Sequence, residues 1–363
     1  MHQIVKDLFA DIFVLDLSSV LAGPQAGSFF AELGATVVKV EHKSVGGDPT
    51  RQWRLPSESA TSQISAYYAA ANTGKKVIML NLDDDTDYQQ LMTLVKQADV
   101  VISNFQKKVA EKLRVTYRDL QSANTNIILA QLNAYSYDDP RPGYDLVMQA
   151  ETGWISMTGT DEGHLAKLPV ALIDIIASHQ MREAVLVALL HRYKTGEGSE
   201  VHISLYKSAI SALANQASNY LMAEHIPQPI GTLHPNIAPY GDIFTTRDGK
   251  AVIFAIGSDQ QFEKLGKTLN LAAHDIATFR YNRDRVTHRI KLQSLIQHKV
   301  QLHDQVVITQ SLSDANVPFC IVKDLSEVFT NDLSKHMIKS ETIDGEATRK
   351  VSNISFQFKS FMP

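Results

Sequence analysis

Through the first half of the chain, short apolar runs alternate with longer stretches in which apolar residues recur at helical spacing. Residues 13–17, Phe-Val-Leu-Asp-Leu, read as a buried strand. A small-residue turn follows, Leu21-Ala22-Gly23-Pro24, and then a helix over 24–33. Pro24 suits a first helical turn because its missing N–H would be unpaired there, and Gly34 suits the stop. Residues 36–40 form the next strand, closing one βαβ unit. Strand signals return at 77–82, 100–103 and 127–132, with helices expected over 86–97 and 109–123. Such alternation predicts an α/β fold, with a parallel sheet covered by helices on both faces.

A long helix is expected over 174–193, ended by Lys194-Thr195-Gly196-Glu197-Gly198, then a strand at 201–205 and a helix over 206–223. Between 225 and 240 the texture changes. Pro227, Pro229, Pro235 and Pro239 mark a linker. Beyond it, strands at 242–246 and 251–256 are joined through Asp248-Gly249, a hairpin signal. Helices near 259–270 and 286–300 make this stretch a smaller α+β lobe. No internal repeat or low-complexity tract is found.

At 363 residues the chain exceeds the ~250–300 at which single cores stop growing, so two lobes are expected. A net charge of −4 gives no global attraction to nucleic acid or to an anionic membrane, so anionic ligands need local basic groups. Cys320 is the single cysteine, which excludes an intrachain disulfide and a CxxC site. Residues 1–11 lack a signal-like apolar region, and no apolar run approaches the ~18 residues of a membrane span. A cytoplasmic protein is expected.

The first βαβ unit invites a dinucleotide reading, with Glu41 on a ribose diol. Its loop, Ala22-Gly23-Pro24-Gln25-Ala26-Gly27, lacks the G-x-G-x-x-G spacing, which argues against it. His42 and Lys43, Lys75 and Lys76, and Lys107, Lys108 and Lys112 cluster near strand ends. There they either line a phosphate-binding crevice or are solvated surface groups.

Asp174 is the only charge in the apolar run Leu168 to Ala177. It falls where the long helix starts, so it either caps that helix or serves as a carboxylate nucleophile kept ionised by the helix N-terminus. No G-x-S-x-G or H-E-x-x-H pattern supports a serine hydrolase or a zinc enzyme, and no metal is expected.

Taken in order, Val14-Leu15-Asp16-Leu17, Leu21-Ala22-Gly23-Pro24, Leu33-Gly34-Ala35, Val38-Lys39-Val40-Glu41, Gly47-Asp48-Pro49-Thr50-Arg51 and Asn72-Thr73-Gly74-Lys75-Lys76 are followed by Asn104-Phe105, Gly143-Tyr144-Asp145, Thr195-Gly196-Glu197-Gly198 and His234-Pro235-Asn236-Ile237-Ala238-Pro239-Tyr240. This series, from about residue 12 to 330, resembles the family III CoA-transferases of the CaiB–BaiF type. The resemblance implies that Asp174 is the nucleophile, forming an aspartyl anhydride and then an aspartyl-CoA thioester. It implies CoA contacts at Leu21, Ala22, His42, Ala71, Asn72, Thr73, Gly74, Lys75, Asn104, Phe105, Lys112, Asn133, Ala134, Tyr135 and Ser136. Substrate contacts are expected at Arg51, Tyr144 and His234, with acceptor recognition by the 43–66 loop and the 231–241 segment. Arg51 either pairs with an acceptor carboxylate or fixes its loop.

The substrates implied are an acyl-CoA and small carboxylic acids. Leu21 stands where the formyl-CoA branch carries glutamine, and that branch's glycine-rich lid has no counterpart, which argues against formate–oxalate exchange. The α-methylacyl-CoA racemases are the nearest alternative, and a non-catalytic acyl-CoA binding protein is a third. Racemases place histidine where Tyr144 stands, and a phenol of ordinary pKa ~10 is a poor α-proton base. The resemblance further implies an interlocked homodimer. Its Rossmann-like large domain would comprise residues 1–224 and a C-terminal return, 317–363, around a small α+β domain at 225–316.

Overall fold

The structure, a computed structural model, describes residues 8–160 and 163–359. Residues 1–7, part of the stretch read as lacking a signal-like region, lie outside the described residues. Two compact units divide the chain. The first holds the described residues up to 156, then 167–227, then those from 335 onward; the second holds the described residues of 157–166 and then 228–334.

The first unit opens with β1 (Phe13–Asp16), α1 (Ala22–Leu33), β2 (Thr36–His42), α2 (Ala66–Asn72), β3 (Lys76–Leu80), α3 (Asp85–Val95) and β4 (Val100–Ser103). It continues with α4 (Lys107–Lys112), α5 (Tyr117–Ala123), β5 (Ile128–Asn133), α6 (Asp145–Glu151), α7 (Leu172–Thr195), β6 (Ser199–Ser204), α8 (Leu205–Ser211) and α9 (Ala214–Ala223). The six strands form one parallel sheet in the order β3-β2-β1-β4-β5-β6. Strand order reverses between β1 and β4, and crevices for ligands open at such a point, beyond the carboxyl ends of the strands.

Neighbouring residues of each strand point to opposite faces. Val14, Val100 and Ile128 pack with Phe30 of α1 and Met181 and Val185 of α7. Leu15, Val101 and Leu129 pack on the other face with Leu91, Val95 and Leu120. Burial on both faces explains why these strands read as continuous apolar runs rather than alternating ones.

Two expected helices are each broken in two. The helix expected over 109–123 stops at Lys112; Arg114 turns left-handed (φ 58°), and Thr116 restarts the chain in a reciprocal cap with Asp119. The helix expected over 206–223 breaks at Ala214 (φ 48°). Neither break carries a proline, so apolar periodicity ran through both.

In the second unit, β7 (Tyr240–Thr245) and β8 (Ala251–Ala255) form the expected hairpin, followed by α10 (Asp259–Thr268), α11 (Ala273–Thr278), α12 (Asn282–Thr287), α13 (Arg289–Val300) and α14 (Gln305–Asp314). Then come β9 (Phe319–Ile321), α15 (Leu325–Val328) and α16 (Asp332–Lys335). The apolar stretch at 317–322 was expected to open the return to the large domain. Instead β9 pairs antiparallel with β8, Cys320 opposite Ile253, and Val317 joins the core around Phe254 and Phe262. The return begins near residue 335, with the antiparallel pair β10 (Ile338–Ile343) and β11 (Glu346–Val351) in the first unit. Among the described residues no helix is long and apolar enough to cross a membrane.

Candidate active site

The site starts from how α7 begins. Its N-cap position is Ala171, which offers no side-chain acceptor, and Asp174 is already inside the first turn. The cap comes from elsewhere in the chain. Asp145 Oδ1 accepts the N–H groups of Ile173 at 2.7 Å and Asp174 at 3.3 Å, taking the capping role that was one of the two alternatives for Asp174. Gln149, one turn further along α6, donates to Asp145 Oδ2 at 2.6 Å and accepts the N–H of Leu168 at 2.9 Å. The segment leading into α7 is therefore fixed at both ends of one glutamine. Asp145 was visible in the sequence only as the end of Gly143-Tyr144-Asp145, with nothing to mark it as a cap.

Asp174 is 8% exposed, and among the described residues no donor reaches its carboxylate. Burial, reinforced by the negative charge of Asp145, pushes its pKa up to about 7. This corrects the expectation that the helix N-terminus keeps it ionised. The dipole of a helix end is worth at most ~2 kcal/mol, and removal from water outweighs it here. Tyr67, which the sequence did not single out, shares this neighbourhood. Burial and the charges of Asp174, Asp145 and Asp48 raise its hydroxyl to about 12, so it stays protonated. Its ring sits edge-on to Trp53, centroids 5.2 Å apart.

Two cavities lie along the strand ends. The first, of ≈ 220 Å³, is lined by Ser18 and Ser19 after β1, His42 and Asp48 around the end of β2, Leu80 and Leu82 around the end of β3, and Phe105 after β4. The second, of ≈ 280 Å³, is lined by Ser19, Val20, Asn104, Phe105, Leu132, Asn133, Ala134, Arg141, Gly143 and Tyr144. Ser19 and Phe105 belong to both walls. Asn133 Oδ1 is buried without a hydrogen-bond partner, an open acceptor in the second wall. Tyr144 is 62% exposed.

Of the residues expected to contact CoA, the structure places His42, Asn104, Phe105, Asn133 and Ala134 on the cavity walls, while Leu21 and Ala22 are buried at the start of α1. Ala71, Asn72, Thr73 and Lys75 do not reach the cavities. The first three are buried, and the carbonyls of Ala71 and Thr73 accept from Ser28 Oγ. The Lys75 ammonium has no exposed surface. It pairs with Asp16 at 2.7 Å and donates to Pro24 O and Asn72 Oδ1, so it is not free to meet a phosphate. Gly74 is exposed, but its N–H donates to Glu341. Leu80 and Leu82 supply the wall in their place.

Tyr135 turns to Glu151 (2.7 Å), and neither it nor Ser136 lines a cavity. Lys112 is exposed at the surface in an ion pair with Asp83.

Arg51 settles as a loop-fixing residue. It is 6% exposed and donates to Glu41, to Tyr68 Oη and to Asp344 at the turn of the β10–β11 hairpin. Four of its five N–H donors are engaged within the fold, which fits the loop-fixing alternative better than an acceptor contact. Glu41 is correspondingly taken by Arg51, Tyr68 and the N–H of Asp48, so it holds no ribose. Sequence reasoning could not separate the two roles of Arg51, because the deciding partner, Asp344, is distant in the chain.

His234 belongs to the second unit. Its Nδ1 accepts the N–H of Asn236 at 3.1 Å, which puts the imidazole proton on Nε2. Burial and the nearby Arg289 lower its pKa, so the ring is neutral at pH 7.

Residues 9–361 match the family profile described as CoA-transferase family III. A succinate–glutarate CoA-transferase of Agrobacterium fabrum is 33% identical over 90% of this chain and 82% of its own length. A succinyl-CoA:mesaconate CoA-transferase of Haloarcula marismortui is 31% identical over 88% of this chain and 81% of that protein. Among solved structures, a CaiB/BaiF family protein from Brucella suis superposes with a TM-score of 0.82 at 30% identity, covering 96% of this chain and 91% of that one.

Proposed function

The chain belongs to CoA-transferase family III, and from that membership we propose that it moves CoA between carboxylic acids through covalent intermediates on Asp174. The observation that carries this reading is a buried carboxylate without hydrogen-bond donors, raised to about 7, at the start of a helix capped by a second carboxylate. Such a group is ionised in an appreciable fraction at neutral pH and carries no tight solvent shell to shed before it attacks.

In the proposed sequence, an Asp174 oxygen attacks the thioester carbonyl, the C–S bond breaks, and an acyl-aspartyl anhydride and CoA thiolate result. The thiolate attacks the Asp174 carbonyl, releasing the donor acid and leaving aspartyl-CoA. The acceptor carboxylate then displaces the thiolate to give a second anhydride. Attack of the thiolate on its acceptor carbonyl yields the new acyl-CoA and regenerates Asp174. No water enters, so the thioester energy is conserved. The neutral Tyr67 hydroxyl is a donor for oxyanions formed in these steps. CoA would lie across both cavities, its nucleotide end in the first with His42, its pantetheine chain passing Ser19 into the second. There Asn133 Oδ1 would accept from an amide N–H.

Because two relatives are named for dicarboxylates, we take small dicarboxylic acids as acceptors and their CoA thioesters as donors. A mass-spectrometric screen of succinyl-CoA and other donors against glutarate, mesaconate and monocarboxylates tests this. Transfer to dicarboxylates is expected, with no α-deuterium entering 2-methylacyl-CoA in deuterated water. Fast α-exchange with no transfer would favour the racemase reading instead.

We further propose a homodimer with interlocked chains. Leu186, Val187, Leu190 and Tyr193 leave an exposed apolar strip on α7, and α9 buries none of its residues although it carries Leu221 and Met222. Sedimentation at low nanomolar concentration should still show the dimer; a monomer at micromolar concentration would contradict it.

A further inference from the structure

We propose that Asp48 is a positioning residue for the acyl-CoA: through the N–H of Val20 it holds a strained turn on the ridge between the two cavities. The inference rests on the reading that CoA occupies both. Val20 has φ 72°, a left-handed conformation that is an outlier for a β-branched residue. Strain of this kind persists only where neighbours over-determine the backbone. Here the neighbours are on view.

Ser19 N donates to Asn104 Oδ1 at 3.1 Å, and Ser19 O accepts from Asn104 Nδ2 at 3.0 Å. One residue earlier, Ser18 O accepts from Lys39 Nζ at 2.7 Å. One residue later, Val20 N donates to Asp48 Oδ2 at 3.2 Å. That same oxygen lies 3.0 Å from Lys39 Nζ, and the other Asp48 oxygen accepts from Thr50 N and Oγ1. Asp48 and Lys39 are both buried, so their pair is little screened by solvent.

Asp48 lines the first cavity, Val20 the second, and Ser19 both. One carboxylate therefore ties the turn after β2 to the turn after β1 at the place where a ligand spanning both cavities must cross. A glycine at position 20 would adopt this conformation without strain but would also wander from it. The strained valine, clamped from both sides, has one position. Asp48 thus sets the ridge against which the extended chain of CoA is aligned, and it acts through Val20 rather than by touching the reacting atoms.

Val20→Gly is the direct test, because glycine accepts positive φ and the fold is not threatened. Its melting temperature should stay within about 2 °C of the parent, relief of strain offsetting the freedom glycine adds to the unfolded chain. The KM for acyl-CoA should rise about 10-fold while kcat changes less than about 2-fold, since the loss is of ligand alignment. Val20→Asn, which tolerates the left-handed region but restrains the backbone, should recover most of the affinity. Asp48→Asn should move the same KM in the same direction.

A CoA titration of the unaltered protein is run alongside. No binding there overturns the CoA reading itself. Binding by the parent with equal affinity in Val20→Gly overturns this inference alone. So does a large fall in the melting temperature of Val20→Gly, which would mean that packing of the valine side chain, not the clamp, fixes the turn.

Discussion

Asp174→Ala is expected to lower CoA transfer by at least ~10⁴-fold while leaving CoA binding within a few-fold of the parent. The proposed reaction has no other group to accept the acyl chain, so removing the nucleophile removes the route rather than slowing it. Binding is spared because Asp174 lines neither cavity. The same expectation has a chemical signature. Incubation of the unaltered protein with a competent acyl-CoA should leave an adduct on the peptide containing Asp174, converted by hydroxylamine to a hydroxamate and by borohydride to an alcohol. Neither product should form in Asp174→Ala. A variant that transfers at near-normal rate, or an adduct on another residue, would remove Asp174 from the mechanism.

The second large effect is the pH dependence that follows from the environment of Asp174. The ionised carboxylate is the nucleophile, so the rate of adduct formation should rise with pH through a midpoint near 7 and level above it. An ordinary carboxylate would already be on the plateau at pH 5. Burial is the larger cause of the raised value and the charge of Asp145 the smaller. Asp145→Asn keeps an oxygen to cap α7 but removes the charge. Its midpoint should therefore fall below the parent's while remaining above 3.8, because burial persists.

Stability should move the opposite way. A folded-state value raised from 3.8 to about 7 means that the folded protein keeps a proton the unfolded chain has lost between those pH values. The contribution of Asp174 to stability is therefore greatest below about pH 4 and declines until about pH 7, by on the order of 4 kcal/mol. Asp174→Asn should accordingly melt higher than the parent at pH 8, with the gap closing as pH falls toward 4. Parallel pH–stability curves for the two proteins would mean that the carboxylate is not held as described.

Glu41 with Arg51 and Asp16 with Lys75 form two buried ion pairs in the first unit. Burial pushes the Asp16 carboxyl up, but the charges of Lys75 and Lys39 hold it below its ordinary value. Breaking one such pair leaves an uncompensated charge away from water, which typically destabilises by ~3–5 kcal/mol. Residues that looked like phosphate or carboxylate ligands are thus doing structural duty. Leu80, Leu82 and Asn133, whose chemistry is less conspicuous, line the cavities.

The parallel sheet and its helices were legible in the chain because the central strands β1, β4 and β5 are buried on both faces and are largely apolar, while each covering helix needs only one apolar stripe. The candidate nucleophile was legible for a similar reason. A lone carboxylate in an apolar run such as 168–177 is costly to bury, and that cost is visible without knowing the fold. What the chain could not disclose is how each charge is partnered. Asp174 read either as a cap or as a nucleophile kept ionised; the structure gives the cap to Asp145, 29 residues away, and leaves Asp174 undonated among the described residues. Arg51 was free to meet a substrate until Asp344, Glu41 and Tyr68 closed around it. Propensity and periodicity act over a few neighbouring residues. The protonation and availability of a buried charge depend on groups brought together from distant parts of the chain, so only the tertiary structure decides them.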